Sequence, residues 1–213
     1  SDHALYKMPV PTWSLQVLWV VSILVLLLTP LAYGFARLPK QVTAHRIKDK
    51  RIFLTLPLAF LFLAVLAQKF PHLLGNGRMV AQEVINGISW KTALLLFILK
   101  ALVVLLTLWA GAYGGTLTPS FALGMAGAAL ITLAFGLEAS STILLIGAVC
   151  FLTVTLNAPF SATGLVIGFT GQGLEALPYL FLTAFLAHAL GKVLDRFPWK
   201  GLIRPKVRAS EDG

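Results

Sequence analysis

Charged residues are scarce in this chain. Asp, Glu, Lys and Arg make up 12% of its 213 residues, against 58% hydrophobic residues and a mean hydropathy of +0.86. Soluble domains carry roughly 25% charged and about 45–50% apolar residues, so the composition excludes an ordinary soluble domain. The apolar runs have the length of helices, not of the roughly ten-residue alternating strands of an outer-membrane barrel. The sequence therefore predicts an all-α, multi-pass integral membrane protein.

The patterns of enzyme active sites are missing as well. Cys150 is the single cysteine and lies in an apolar run, which favours a small core residue and excludes a disulfide framework. The four histidines form no H-E-x-x-H pattern, and there is no nucleophile elbow and no pair of carboxylates. We therefore expect no enzyme activity, no metal and no cofactor.

Acidic residues are absent from the middle of every apolar run. They are Asp2, Asp49, Glu83, Glu138, Glu175, Asp195, Glu211 and Asp212. Proton coupling through a membrane needs an intramembrane titratable carboxylate or a similar group. We therefore do not expect this chain to perform proton-coupled exchange unaided.

Positive charge is concentrated beside the apolar runs. The formal net charge is +9, from 17 basic and 8 acidic residues. The two clusters are Arg37, Lys40, Arg46, Lys48, Lys50 and Arg51, and then Lys192, Arg196, Lys200, Arg204, Lys206 and Arg208. This arrangement does not indicate nucleic-acid binding. Under the positive-inside rule both clusters face the cytoplasm, so the chain between them crosses the membrane an even number of times. We expect a bacterial inner membrane as the location.

Uneven apolar runs organise the chain. Residues 1–11 are expected to form a polar loop, residues 12–195 the membrane domain, and residues 196–213 a basic cytoplasmic tail. The predicted helices are residues 12–38, 52–68, a short piece ending at 86, 90–109, 119–137, 142–156, 159–170 and 176–194. The short pieces cannot cross a bilayer of roughly 30 Å. Short and broken helices are typical of transporters whose sites lie at half-helix ends.

Two polar residues inside this pattern have local interpretations. Asn157 is predicted to cap the helix that has Pro159 in its first turn. Lys100 lies in the middle of an apolar run, and we interpret it as a structural lysine that snorkels to the surface or bonds backbone carbonyls.

Residues 111–120, with the sequence G-A-Y-G-G-T-L-T-P-S, lie between two long apolar runs that contain no carboxylate. Three glycines within five positions allow positive φ and the close approach of another group, and Pro119 suits the first turn of a helix. We predict a helix break, with a new helix beginning between Thr116 and Pro119. Such a start presents unpaired N–H groups and the positive end of the dipole, which at membrane depth is an anion site. An ordinary extramembrane turn fits the same spacing.

Several motifs resemble the CLC family of voltage-gated chloride channels and proton-coupled anion transporters. Gly114-Gly115-Thr116-Leu117-Thr118-Pro119 resembles the family's third signature, G-G-x-F-x-P. Other segments resemble further features of the family and occur in the family's order. Gly75-Asn76-Gly77 resembles its glycine-rich loop, and Lys100 matches a basic residue common there. Asn157-Ala158-Pro159-Phe160-Ser161-Ala162 resembles the A-P-L-T segment, and Leu165-Val166 resembles the start of L-V-x-E-M-T. The resemblance covers residues 12–195.

The resemblance implies the second of the family's two inverted repeats, a bundle of tilted, broken and re-entrant helices. The earlier signatures, G-S-G-I-P and G-K/R-E-G-P, do not occur here. The family's gating and proton-transfer glutamates belong to that absent half, so channel and antiporter both stay open. We expect the chain to be part of a longer protein, with the N-terminal half and a second copy as its partners in the bilayer.

The resemblance also implies roles for individual residues. Gly115, Thr116, Leu117 and Thr118 form the anion-binding stretch. In it the amides of Thr116 and Leu117 coordinate a chloride or other halide ion, and the hydroxyl of Thr118 donates to it. The helix breaks are shaped by Gly114, Pro119, Gly75, Asn76 and Gly77. Gly164 and Gly168 contribute to a homodimer interface.

Three departures from the family pattern leave the substrate open. Leu117 stands where the signature has Phe, Gly168 stands where L-V-x-E-M-T has Glu, and no tyrosine follows Tyr179. The family's fluoride-exporting branch also departs around these sites, so fluoride is an alternative to chloride. A second alternative is an unrelated secondary transporter for an organic anion, although such a site normally needs more polar side chains than the apolar runs offer.

Overall fold

The computed structural model describes residues 6–44, 78–109 and 117–197, together with Leu58, Leu61 and Val65. The described part is helical and contains no strand, which confirms the all-α prediction. The helices are α1 (Val17–Ala44), α2 (Arg78–Asn86), α3 (Trp90–Trp109), α4 (Leu117–Ala134), α5 (Ser141–Leu156), α6 (Pro159–Thr170) and α7 (Leu177–Asp195), and a 3-10 turn (Leu174–Ala176) precedes α7. The helix predicted at residues 52–68 lies largely outside the described residues, and its three described positions are helical.

Helices α4 and α5 form the centre of the bundle. Helix α4 packs against α1, α2, α3 and α5, and α5 packs against α1, α4, α6 and α7. Residues 119–129 of α4 and residues 144–153 of α5 are buried without interruption. A helix that is apolar on every side is expected to be surrounded by protein or lipid. Here the other helices of the bundle enclose these two.

Glycines let α4 and α5 approach each other closely. A Cβ atom added at Gly124 would lie 2.6 Å from the carbonyl oxygen of Gly147 and 2.9 Å from the Cα of Ala148. Because both neighbours are backbone atoms, any side chain at Gly124 would force the two helices apart. Small residues at a crossing let two membrane helices approach in this way.

Helix α1 differs from its predicted limits at both ends. It begins at Val17 rather than at residue 12, because Thr12 is bonded to another helix: its N–H donates to Thr142 Oγ1 (3.0 Å), and its carbonyl accepts from the same hydroxyl (2.9 Å). It continues past Pro30 to Ala44, six residues beyond the predicted end at 38. At 28 residues it is about 42 Å long.

The prediction that Asn157 caps the following helix is wrong. Asn157 ends α5 in the left-handed conformation (φ 54°, ψ 37°), and the extended residue Ala158 precedes α6. Asparagine tolerates this conformation better than most residues and often ends helices there. Pro159 does lie in the first turn of α6.

The carboxyl ends of α1 and α7 meet at one end of the bundle. The guanidinium of Arg37 donates from Nη2 to Asp195 Oδ1 (3.1 Å), and the hydroxyl of Tyr33 donates to the same oxygen (2.8 Å). The two basic clusters begin at this end of the bundle, with Arg37 and with Lys192. An even number of membrane crossings between the clusters requires that their first members lie at the same end. By length and composition, Val17–Arg37 and Leu174–Asp195 are the described helices suited to span a membrane.

Candidate functional site

The predicted anion site is described from Leu117 onwards. Helix α4 begins at Leu117, which confirms a helix start between residues 116 and 119. Gly114, Gly115 and Thr116 lie outside the described residues, as do Gly75, Asn76 and Gly77 and the side chain of Thr118. The amide of Leu117 is therefore the described member of the predicted pair, and the remaining assignments stay predictions.

The first turn of α4 is built into the protein interior. Leu117 is half-buried, and Pro119, Ser120 and Phe121 are buried. No acidic residue occurs in this turn, so the positive end of the dipole is not neutralised by a carboxylate of its own helix. The turn can therefore attract a small anion through backbone partial charges.

Ser120 adds a hydroxyl to this turn. Its side chain is fully buried, and its Oγ has no hydrogen-bond partner among the described residues. A buried hydroxyl without a partner costs free energy, typically about 1–3 kcal/mol. Ser120 was not among the residues singled out in the sequence, because a serine after Pro119 in a first turn is common and carries no spacing signal.

An aromatic cluster holds the same turn from one side. The ring of Tyr6 stacks on that of Phe121, with centroids 4.8 Å apart and an interplanar angle of 18°. Phe169, in the last turn of α6, meets Phe121 edge-on at 5.5 Å and Tyr6 at 6.4 Å. Tyr6 lies in the segment predicted to be a polar loop, yet it is 1% exposed.

Lys100 lies in the interior of the bundle. It is fully buried on α3, so the snorkelling interpretation is wrong and the structural one remains. Its helix neighbours Phe97 and Ala101 pack in the cluster that contains Leu123, in the second turn of α4. A basic residue is thus buried on the helix that packs beside the start of α4.

Gly164 and Gly168 lie on an open face of α6. Both are exposed, and a Cβ atom at either position would meet no atom of the described residues within 4 Å. Large aromatic side chains lie at the nearby α6–α7 contact. Phe160 is 67% exposed and packs against Phe181 and Phe185 of α7 at 5.8 and 5.3 Å. The predicted contact glycines therefore leave room for another helix.

Two cavities lie at opposite ends of the described bundle. One, of about 950 Å³, is lined by the starts of α1 and α5, by the end of α2 and by Glu138. The other, of about 410 Å³, is lined by Tyr33, Arg37, His188 and Asp195 and by the end of α5. His188 is half-buried there. Neither cavity has a described residue of the first turn of α4 in its lining.

Comparisons with known proteins agree with the resemblance in the sequence. The model of the family described as voltage gated chloride channel matches residues 1–192. A solved structure described as the crystal structure of a CLC-type fluoride/proton antiporter aligns with a TM-score of 0.63 and 19% sequence identity. The alignment covers 90% of this chain and 48% of that one, so this chain spans about half the length of its structural relative. A search of curated proteins gave no match. By the family match, the chain belongs to the voltage-gated chloride channel (CLC) family.

Proposed function

We propose that this chain forms the second half of a CLC-type anion transport protein, in which a halide ion binds at the start of α4. The amides of Thr116 and Leu117 coordinate the ion, Thr118 donates a hydroxyl hydrogen bond, and Gly115 lets the ion approach the backbone. The glycines at 75 and 77, with Gly114 and Pro119, shape the breaks around the path. The protein lies in a membrane, with the basic loop and tail on the cytoplasmic side.

The observation that carries the proposal is the burial of the first turn of α4. An exposed helix start would be hydrated, and its partial charges would be screened by water. Here Pro119, Ser120 and Phe121 are buried, and no carboxylate occurs in the turn. Partial charges in such surroundings stabilise an anion without placing a full cation beside it, so that binding stays weak enough for release.

Chloride is the first candidate substrate and fluoride the second. The matched family is that of voltage gated chloride channels, and one solved structure that the chain resembles is a CLC-type fluoride/proton antiporter. Proton exchange would need a carboxylate from the preceding half, because the acidic residues of this chain avoid the middle of its apolar runs. The same half would complete the path for the ion.

The open face of α6 supports a dimer. Gly164 and Gly168 are spaced four residues apart on an exposed helix face that no described residue covers, and exposed aromatic residues lie beside it. Small residues at this spacing let two membrane helices pack closely. We propose that a second copy of the protein covers this face.

Halide efflux from liposomes that contain the full-length protein tests the proposal. Chloride-selective and fluoride-selective electrodes should both be used, and efflux of at least one halide above that of protein-free liposomes is expected. The variant Thr118→Val should raise the apparent KM about tenfold, since a hydrogen bond to a charged group contributes roughly 1.5 kcal/mol or more. No efflux of either halide would contradict the proposed function.

Thr132→Val provides a matched control on the same helix. Thr132 is buried near the opposite end of α4, and its hydroxyl donates to the carbonyl of Ala128 (2.7 Å). This variant should leave the KM unchanged. Equal effects of the two substitutions would show a general loss of packing rather than a lost ligand of the anion.

A further inference from the structure

Residues 6–13, called the strap below, are held in place although they form no helix or strand. The side chain of Gln82 on α2 bonds both backbone groups of Lys7, accepting from its N–H (3.2 Å) and donating to its carbonyl (3.0 Å). The hydroxyl of Thr142 on α5 bonds both backbone groups of Thr12 in the same way. Side chains thus satisfy the strap's backbone near both of its ends, where a regular element would use backbone partners.

Tyr6 connects the strap to two helices at once. Its N–H donates to the carbonyl of Phe169 (2.9 Å), one of the last four carbonyls of α6, which have no partner within their own helix. Its ring covers the face of Phe121 at 4.8 Å, and Phe169 closes the cluster edge-on. Both Tyr6 and Phe121 are essentially unexposed.

The position of Phe121 explains why this contact matters for the start of α4. Further along the helix, α4 is fixed by the glycine contact between Gly124 and Gly147. The first turn of α4 comes before that contact and follows a glycine-rich stretch of the sequence. Phe121 lies between this first turn and the glycine contact at Gly124. Packing against the ring of Phe121 therefore limits sideways movement of the turn that begins at Leu117.

We propose that Tyr6 is a positioning residue for the anion site: by stacking on Phe121 it fixes the place of the first turn of α4 and so tunes anion affinity and preference. The inference rests on the proposed function. Binding groups must be held within roughly 0.5 Å of the productive geometry, and a displacement of about 1 Å can cost up to roughly a hundredfold. The ring of Tyr6, more than a hundred positions earlier in the chain, can hold the turn in place through its contact with Phe121.

The test compares two aromatic residues of the same strap. Trp13 stacks on Tyr179 of α7 (5.2 Å), so Trp13→Ala also removes a strap ring, but one whose described ring partner is on α7 and not on α4. In the full-length protein in liposomes, Tyr6→Ala should raise the apparent KM for chloride about tenfold and change the chloride-to-fluoride flux ratio at least about threefold. Trp13→Ala should change neither by more than about twofold. Tyr6→Phe keeps the stacked ring and should behave as the wild type.

Equal flux ratios and KM values for Tyr6→Ala and Trp13→Ala would overturn the proposal, and so would a Tyr6→Phe variant as impaired as Tyr6→Ala. If Tyr6→Ala does not insert, Tyr6→Leu replaces it, since leucine retains apolar volume without a flat ring. The flux ratio is independent of the amount of active protein, so a lower yield does not mimic the effect.

Amide hydrogen exchange separates this inference from the proposed function. Tyr6→Ala should raise exchange at residues 117–121 at least about tenfold relative to wild type, and Trp13→Ala should not. Raised exchange in a protein that transports no halide would support the positioning role and contradict the proposed function. Unchanged exchange in a protein that transports halide would contradict the positioning role alone.

Discussion

Two pairs of neighbouring helices in this protein use glycine in opposite ways. Between α4 and α5, Gly124 and Gly147 meet backbone to backbone, with no room for even one added methyl group. On α6, which packs beside α7, Gly164 and Gly168 have the same four-residue spacing that small-residue contacts use, and nothing lies within 4 Å of where their Cβ atoms would be. One contact is complete within the chain and the other is open.

The comparison teaches that a glycine spacing predicts a close helix approach but not the partner. At α4 and α5 the partner is the next helix along the chain, and the contact builds the core that surrounds the start of α4. At α6 the neighbouring helices of the chain leave the glycine face exposed, while Phe160, at the start of the same helix, is also exposed. Small residues on an open face of a membrane helix are typical of a close contact with another helix.

The largest effect is expected at the closed contact. Gly124→Ala places a methyl group 2.6 Å from a backbone oxygen, so α4 and α5 must separate. Overpacking a tight core costs typically about 1–3 kcal/mol, and a backbone neighbour puts this case at the upper end. The thermal midpoint of the purified full-length protein in detergent should fall clearly, together with the yield of monodisperse protein.

Gly34→Ala on α1 is the matched control for that substitution. The same methyl group enters space that the described residues leave open on a helix, where alanine is favoured over glycine by up to about 1 kcal/mol. Its thermal midpoint should equal or exceed that of the wild type. If Gly124→Ala were as stable as Gly34→Ala, the close crossing of α4 and α5 would be wrong.

A smaller effect, on assembly rather than folding, is expected at the open contact. Gly168→Leu should leave the subunit folded but weaken the proposed dimer about tenfold or more, since a large side chain would hold the paired helices apart. Light scattering during size-exclusion chromatography measures the mass in detergent. Gly34→Leu on α1 is the control, because Gly34 is also exposed with nothing within 4 Å. An unchanged dimer in Gly168→Leu would place the interface elsewhere.

Helix limits set by proline and glycine were predictable from the sequence. The limits of α6 agree with the prediction to the residue, because Pro159 suits a first turn and Gly171 ends the helix in the left-handed conformation. The end of α1 was missed because the prediction followed hydrophobicity. Lys40, Gln41 and Thr43 interrupt the apolar run after residue 38, but Lys and Gln are good helix formers. Helix propensity therefore continues after the apolar run has ended.

The candidate site was predictable only in its local part. A proline preceded by glycines marks a helix start, and α4 does begin at Leu117. The ring that packs on this turn could not be foreseen, because Tyr6 and Phe121 lie 115 positions apart and neither belongs to a periodic pattern. That the Ser120 hydroxyl has no partner among the described residues is likewise a consequence of tertiary packing. Long-range contacts of this kind leave no local signal in a single sequence.

The smallest effect is expected where α1 and α7 meet at their carboxyl ends, a contact made of charges rather than glycines. Asp195 accepts from both Arg37 and Tyr33, but the side chains of Arg37 and Asp195 are 44% and 49% exposed. Ion pairs in such surroundings contribute roughly 0–1 kcal/mol and are screened by salt. Asp195→Asn should therefore lower the thermal midpoint slightly at low salt and not at 1 M salt.

Glu138→Gln, which neutralises an exposed carboxylate by the other cavity, is the control. A loss that equals that of Gly124→Ala, or that persists in high salt, would mean that this end of the bundle is held as firmly as its glycine-packed centre.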